Sequence, residues 1–386
     1  MVCFISGLGP GEAGASGFYS YIKKISKDKS MTFLYPYEHK SFRRLFFTNK
    51  LKALLYLLKI NFLQILFTLK VIFLKPQNVI LAHPQGIGLL LSMYIILRNK
   101  RINYYVLDNS FFCVQSYNYH QKEGECLRCL GMSNKPFRDC KSFPGFRLRE
   151  IHSYFISFLI KNQEKIKFFF QNETQLELFN KHMSSKSINH EKIGLLTLDL
   201  LESFDDYKKF HYKSKYLLSR ELGLYDLFKK DFIVFHGNDH DAKGSKIGYK
   251  LARYLPEYNF IFPFSKPNME LPDNCIFLPC SWKTGLKDLI IYAKCVLCTS
   301  LWSAPIEAAL VKSILYNGVI ITSKTKKSFS QEIPEEFNLI YKSDESINEI
   351  KRKLKDEKKL IIMKKNLINW LENYFLDTKL ERLFNF

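Results

Sequence analysis

Four of the chain's nine cysteines fall in one stretch, "CVQSYNYHQKEGECLRCLGMSNKPFRDC", from Cys113 to Cys140. Cys126 and Cys129 are spaced C-x2-C, with Cys113 thirteen residues before and Cys140 eleven after. Four thiolates from one irregular loop meet the tetrahedral requirement of a closed structural zinc site. An iron–sulfur cluster and redox-active thiols are the alternatives, and His120 is able to replace one cysteine. The remaining cysteines, Cys3, Cys275, Cys280, Cys295 and Cys298, lie on or beside apolar runs and read as core residues.

Four further stretches carry polar groups at places where chemistry is done. "GLGPGEAGASG" (7–17) leads from an apolar run into a helical pattern, and its Gly11, Gly14 and Gly17 admit either a tight turn or a close backbone approach to an anion. "VILAHPQG" ends an apolar run on His83, and "VLDN" ends another on Asp108 and Asn109, a pair that either faces a ligand or caps its own loop. "FHGNDHDAKGSK" sets Lys243 and Gly244 at the start of a helical pattern, where a lysine beside free N–H groups suits a diphosphate. His236, Asp239, His240 and Asp241 in that stretch have no recognised ligand spacing, so no metal is expected there. "CTSLWSAPIEAALVKS" places Glu307 near a helix start, where it either caps the helix or accepts hydrogen bonds from two ribose hydroxyls.

These groups need rigid elements to hold them. Short β-branched and aromatic runs alternate with helical patterns: "VCFISG", "NVILAH", "INYYVLD" and "IKFFFQ", then "DFIVFHG", "YNFIFPF", "NCIFLP", "KCVLCTS" and "GVIITS". Continuous apolar runs separated by helices predict buried parallel sheets. A polar stretch at 181–197 reads as a junction, and 386 residues suit two domains. The expected division is 1–190, an acceptor domain carrying the cysteine loop 113–140; 191–365, a nucleotide-sugar domain; and 366–386, a helix packing back on the first. Two such domains in series suggest a cleft at the carboxyl ends of their strands.

The formal net charge of +21 favours an anionic partner: nucleic acid, an acidic membrane surface or a phosphorylated small molecule. The opening "MVCFISG" reads as a strand with no cleavage pattern, which points to a reducing, cytoplasmic setting. Residues 45–74 are very apolar but are interrupted by Lys50, Lys52, Lys59 and Lys70. Their uncharged runs fall short of the roughly 18–20 residues of a span, leaving a buried helix or helical hairpin, or a basic amphipathic surface on a membrane.

A glycine-rich first turn, a strand-end histidine, a "KG" helix start and a serine-turn-"EA" helix, in that order, resemble the retaining GT-B glycosyltransferases of family four, which include bacterial capsule and lipopolysaccharide sugar transferases. The resemblance covers nearly the whole chain and is best from "FIVFHG" to "GVIITS". It implies a GT-B fold of two Rossmann-like domains facing a cleft. It further implies Gly11, Gly14 and Gly17 near the donor phosphates, His83 beside the donor sugar, Lys243 on the diphosphate and Glu307 on the ribose. Gly244, Thr299, Ser300 and Asn238 join the donor side by position, and Asp108 and Asn109 the acceptor side. The family's arginine before the lysine is absent, with Asn238 near its place, and Thr299 stands eight positions before Glu307 where the family has a first glutamate. Some members of the family carry a similar cysteine-bearing insertion.

The expected activity is transfer of a sugar from a nucleotide-sugar to a lipid-linked or surface-glycan acceptor. It is expected to proceed without a catalytic metal, with Lys243 and helix-start amides stabilising the departing diphosphate in its place, at the inner face of the cytoplasmic membrane. A GT-B-shaped epimerase or inactive scaffold is the first rival. A zinc-containing nucleic-acid binder is the second, disfavoured because the basic residues are scattered and match no nucleic-acid module.

Overall fold

The computed structural model of the protein describes residues 2–36, 50–132, 135–142, 149–183, 188–209 and 230–386. Parts of three expected features, 45–49 of the apolar segment, 133–134 of the cysteine loop and 184–187 of the junction, lie outside the described residues.

The first unit comprises Met1–Ser116, Arg128–Asp199 and Thr378–Phe386. Its sheet is built from β1 (Val2–Ser6), β2 (Met31–Leu34), β3 (Asn78–Ala82), β4 (Ile102–Tyr105), β7 (Ile166–Phe170) and β8 (His190–Lys192), in the order β2-β1-β3-β4-β7-β8. Every pairing is parallel. Runs such as "VILA" and "KFFF" have side chains on both faces of the sheet, and helices cover both faces. Phe18 of helix Gly14–Ile25 stacks on Tyr105 at 4.1 Å. Phe179 of helix Glu173–Met183 meets Phe168 and Phe170, each at 4.6 Å.

The second unit comprises Leu200–Asp377 together with Tyr117–Leu127 from inside the cysteine-rich loop. Its parallel sheet is β11-β10-β9-β12-β13-β14, formed by β9 (Phe232–Phe235), β10 (Asn259–Phe262), β11 (Cys275–Phe277), β12 (Cys295–Cys298), β13 (Ile320–Ser323) and β14 (Leu339–Tyr341). Each strand pairs in parallel. Phe235, Leu251, Phe262, Leu297 and Ile321 belong to its core. The segment 117–127 forms the antiparallel hairpin β5 (Tyr119–His120) and β6 (Gly124–Glu125).

Each sheet reverses its winding once. In the first unit the chain leaves β1 for β2 on one side and returns to β3 on the other. In the second it leaves β9 for β10 and returns to β12. Open parallel sheets bind ligands outside the carboxyl ends of the two strands at such a reversal, because the following loops diverge there.

The chain's last residues divide between the units. Helix Glu357–Leu376 falls in the second, while Thr378–Phe386 falls in the first. There Leu380 and Leu383 are buried, and the Asn103 side chain donates to the carbonyls of Leu383 and Asn385. Only the end of the expected 366–386 element thus joins the first unit.

The apolar segment is one helix, Lys50–Phe73, rather than a hairpin. Ile60, Phe67 and Val71 are its buried side chains among the core residues, whereas Leu51, Leu54, Leu58, Phe62, Ile65, Leu69 and Phe73 are exposed. The exposed positions recur at three- and four-residue steps, one helix face. A core helix is therefore not what forms here. By length and composition this helix suffices to cross a bilayer, lysines included.

Candidate active site at the sheet reversals

In the second unit, the loop after β9 and the turn after β12 are locked together. Gly244 has φ +77°, and a Cβ there would lie 2.0 Å from the Thr299 carbonyl oxygen, so only glycine permits this approach. Thr299 is fully buried, and its hydroxyl donates to the Gly244 carbonyl at 3.0 Å. The Leu301 N–H donates to the Ala242 carbonyl at 2.7 Å.

That contact brings Lys243 to Glu307. The Lys243 ammonium donates to Glu307 Oε1, and the Ser300 hydroxyl lies 2.9 Å from both carboxylate oxygens. The two side chains are only 20% and 12% exposed. Burial alone would depress the lysine, but the charge and hydrogen bond of Glu307 outweigh it and hold Lys243 above its ordinary value. Glu307 occupies the N-cap position of helix Ala308–Tyr316 without a side-chain cap bond, so the capping alternative is not realised. The Lys243 ammonium also lies 5.5 Å from the Trp302 ring centre.

His236 lies behind the pair. Its ring stacks on Trp282 at 5.6 Å and 9°, and Nδ1 is 2.9 Å from the Ser313 hydroxyl. Burial, then the charges of Lys312 and Lys243, push it down to about 3, so it is neutral at ordinary pH. Asn238 is exposed, its carbonyl accepting from the His240 N–H at 2.8 Å, and the structure does not bring it to the pair.

In the first unit, β1 and β3 end in contact. A Cβ on Gly7 would sit 2.1 Å from the His83 carbonyl oxygen, and one on Gly17 would sit 2.3 Å from that of Glu12. His83 has φ 53°, a left-handed conformation that costs a non-glycine residue energy and that folds retain where position matters. Its Nδ1 accepts the Gly86 N–H at 3.2 Å, which places the ring proton on Nε2. Of the other glycines, Gly11 donates its N–H to the Ser20 hydroxyl at 2.9 Å, and Gly14 opens helix Gly14–Ile25 with φ +58°.

Asp108 and Asn109 take the loop-capping alternative. The Asp108 carboxylate accepts from Gln85 at 3.1 Å and from the Ser110 N–H at 2.9 Å. Asn109 is fully buried, and its carbonyl accepts from Phe112 and Cys113.

Among the described residues, no three His, Cys, Asp or Glu side chains are grouped as a metal site requires. Cys113, Cys129 and Cys140 fall in the first unit and Cys126 in the second. Burial holds the Cys140 thiol above its ordinary value. The zinc expectation therefore rests on the spacing of the cysteines and not on their geometry.

No protein-family model and no curated protein sequence matches the chain. Solved structures do. Sucrose-phosphate synthase from Thermosynechococcus elongatus superposes with a TM-score of 0.63 at 12% identity, over 99% of this chain and 96% of that one. HepE of Anabaena, in complex with UDP, gives 0.61 at 12% identity over 99% and 96%. WaaG, a glycosyltransferase involved in lipopolysaccharide biosynthesis, gives 0.59 at 12% identity over 98% and 97%. The fold is GT-B. At this identity the likeness establishes architecture, and in it the two six-stranded GT-B sheets match the expected pair of Rossmann-like domains.

Within the GT-B frame, Lys243, Gly244, Thr299, Ser300 and Glu307 form one constellation, as the sequence places them. The partnership of lysine with glutamate was not visible in it, since the two stand 64 residues apart. Trp302 and His236 were missed as neighbours of the pair. Position on a strand-end turn was the available signal for both.

Proposed function

We propose that the chain is a glycosyltransferase that moves a sugar from a nucleotide-sugar to a lipid-linked or surface-glycan acceptor, with retention at the anomeric carbon and without a divalent metal. Capsule, O-antigen or lipopolysaccharide assembly is the proposed setting. The observation that carries the reading is the half-buried Lys243–Glu307 pair at the reversal of the second sheet. A cation and an anion held together there match the two ends of a nucleoside diphosphate. HepE, of like fold, has been solved with UDP and with UDP-glucose, which supports a nucleotide-sugar as the donor.

On binding, the diphosphate replaces Glu307 as the partner of Lys243, and the ribose hydroxyls donate to the freed carboxylate. When the bond between the anomeric carbon and the diphosphate oxygen breaks, negative charge grows beside an ammonium already fixed in place. Such preorganised charge stabilisation is usually the largest catalytic contribution. His83, with its proton on Nε2, is proposed to donate to a hydroxyl of the transferred sugar.

Helix Lys50–Phe73 is proposed to rest on an anionic membrane surface at the inner face of the cytoplasmic membrane. Its exposed apolar face and its interleaved lysines support this. Structural zinc in loop 113–140 remains a proposal from cysteine spacing.

A thermal-shift panel of nucleotide-sugars, followed by product analysis, tests the function. A ligand at 100 times its dissociation constant adds about 2.7 kcal/mol of stability. Stabilisation by one nucleotide-sugar and transfer to a glycan or glycolipid acceptor are expected. Stabilisation with release of an epimerised sugar would replace transfer by epimerisation, and indifference to the whole panel would remove the donor site.

A further inference from the structure

The hairpin β5–β6 departs from the first unit's sequence to pack on the second. Two side chains fasten it. The Glu125 carboxylate accepts from the Ser303 hydroxyl and from the Lys326 N–H, and from the Lys327 N–H at 2.9 Å. Asn118, fully buried, donates to the same Ser303 hydroxyl at 3.0 Å, and its carbonyl takes the Cys126 N–H at 2.7 Å. The amide-bearing turn is in turn tied to the site, because the Phe329 N–H donates to the Ala304 carbonyl at 2.9 Å. Three donors on one carboxylate make a charge-assisted anchor, stronger than neutral hydrogen bonds.

What the anchor holds down is aromatic. Tyr119 packs against the cluster of Ala242, Trp302 and Ala304, which joins the turn bearing Lys243 to the turn leading to Glu307. Tyr117 lies 4.7 Å from Trp302, ring centre to ring centre, and 6.0 Å from His240. Ser116 and Asn118 on either side of it have φ of 66° and 28°, so the backbone is bent against its preference to aim this one ring. Tyr117 nevertheless remains 37% exposed. Trp302 is 8% exposed, and its indole Nε1 is buried without a hydrogen-bond partner among the described residues. Buried donors are nearly always satisfied, so a partner from outside the chain is expected there.

We propose that Glu125 is a positioning residue of the donor site: it straps the hairpin to the second unit, so that Tyr117 and the Trp302 Nε1–H form a wall that contacts the sugar of a bound nucleotide-sugar beside Lys243. This rests on the donor-site reading above. It gives the cysteine-rich loop a role in donor binding that needs no metal.

The test uses the full-length protein with UDP-glucose and GDP-mannose as probes. In Glu125→Ala, KM for the donor rises about tenfold or more, and kcat falls less, because a displaced wall weakens ground-state contacts. Glu125→Gln keeps one acceptor oxygen and recovers most of that loss. Hydrogen exchange at the Lys326 and Lys327 amides speeds up in Glu125→Ala, with or without donor. Should Glu125→Ala fail to fold, Tyr117→Ala, which leaves the strap intact, shows the same rise in KM. A folded Glu125→Ala with unchanged KM and unchanged amide exchange, beside an active parent, overturns the inference alone. A parent that binds neither probe removes the donor-site reading and the donor contact with it, while amide exchange still decides whether the strap exists.

Discussion

The Lys243–Glu307 pair allows a quantitative test of whether these residues form one unit. Both side chains are less than a quarter exposed, so solvent screens them little. Two unit charges 4 Å apart attract by about 4 kcal/mol at an effective dielectric of 20, and desolvation of both offsets much of that. Removing one partner strands the other: Lys243→Met leaves a buried carboxylate with Ser300 alone, and Glu307→Gln leaves a buried ammonium beside Trp302. Each single change should therefore cost about 3–5 kcal/mol. The double variant strands nothing, so it should be no less stable than the worse single, which makes the coupling at least the cost of the milder single, about 3 kcal/mol. Urea denaturation at pH 7.5, following the second unit's transition, supplies the four stabilities. Because the folded Lys243 titrates above its ordinary value, the pair's contribution is complete below the unfolded lysine's pKa and is lost as pH rises through the folded one. The same cycle repeated at increasing alkalinity should show the coupling shrink. Losses in the double variant that equal the sum of the singles would refute the buried pair, and with it the idea that a ligand must displace one partner from the other.

Other expectations follow from the same geometry. His236 is held at about 3, against 6.5 unfolded, so it contributes stability that is present above pH 6.5 and is lost, at about 1.4 kcal/mol per pH unit, as pH falls towards 3; His236→Phe should flatten that slope in denaturation series between pH 7 and 5. His83→Ala should lower kcat by about a hundredfold or more if Nε2 donates to the reacting sugar, with nucleotide diphosphate affinity kept by calorimetry; equal kcat would exclude the role. Helix Lys50–Phe73 should bind anionic vesicles over neutral ones and release with salt, and replacing exposed Leu54, Leu58 and Phe62 by serine should abolish co-sedimentation; retention through salt but not through detergent would mean a spanning helix instead. Metal analysis of protein purified without chelator should find about one zinc per chain, lost in Cys126→Ser, if the cysteine spacing means what it does in known zinc sites; metal-free protein with all four thiols titrating would end that reading.

The central strands were legible because burial on both faces writes an unbroken apolar run. "NVILAH", "IKFFFQ", "KCVLCTS" and "GVIITS" each became a strand of the expected sheets. Of the edge strands only β11, within "NCIFLP", was read, while β2, β8 and β14 were not. β8 is "HEK", two of its three residues exposed, and β2 is half-buried throughout. An edge strand is held by backbone pairing on one side, which leaves little mark on side-chain choice. The site was legible to the level of strand-end position, which placed Lys243, Glu307 and His83. The ion pair was not, since nothing local in either stretch refers to the other. Asp108 shows the limit of that signal, for a carboxylate at a strand end looks alike whether it meets a ligand or the Gln85 amide.

The division of the chain has a consequence for how the molecule comes into being. The polypeptide passes from one unit to the other four times, after Ser116, Leu127, Asp199 and Asp377. During synthesis the first sheet emerges early, but Leu380 and Leu383, which bury against it, are made only after the whole of the second unit. The second unit in turn needs eleven residues, Tyr117–Leu127, made long before its own strands. The first unit cannot then be completed before the second has been made. A fragment cut at residue 190 would lack the tail on one side and the hairpin on the other, leaving Trp302 uncovered. Completion of the first unit is therefore a late step, whose rate should respond to removing residues 378–386.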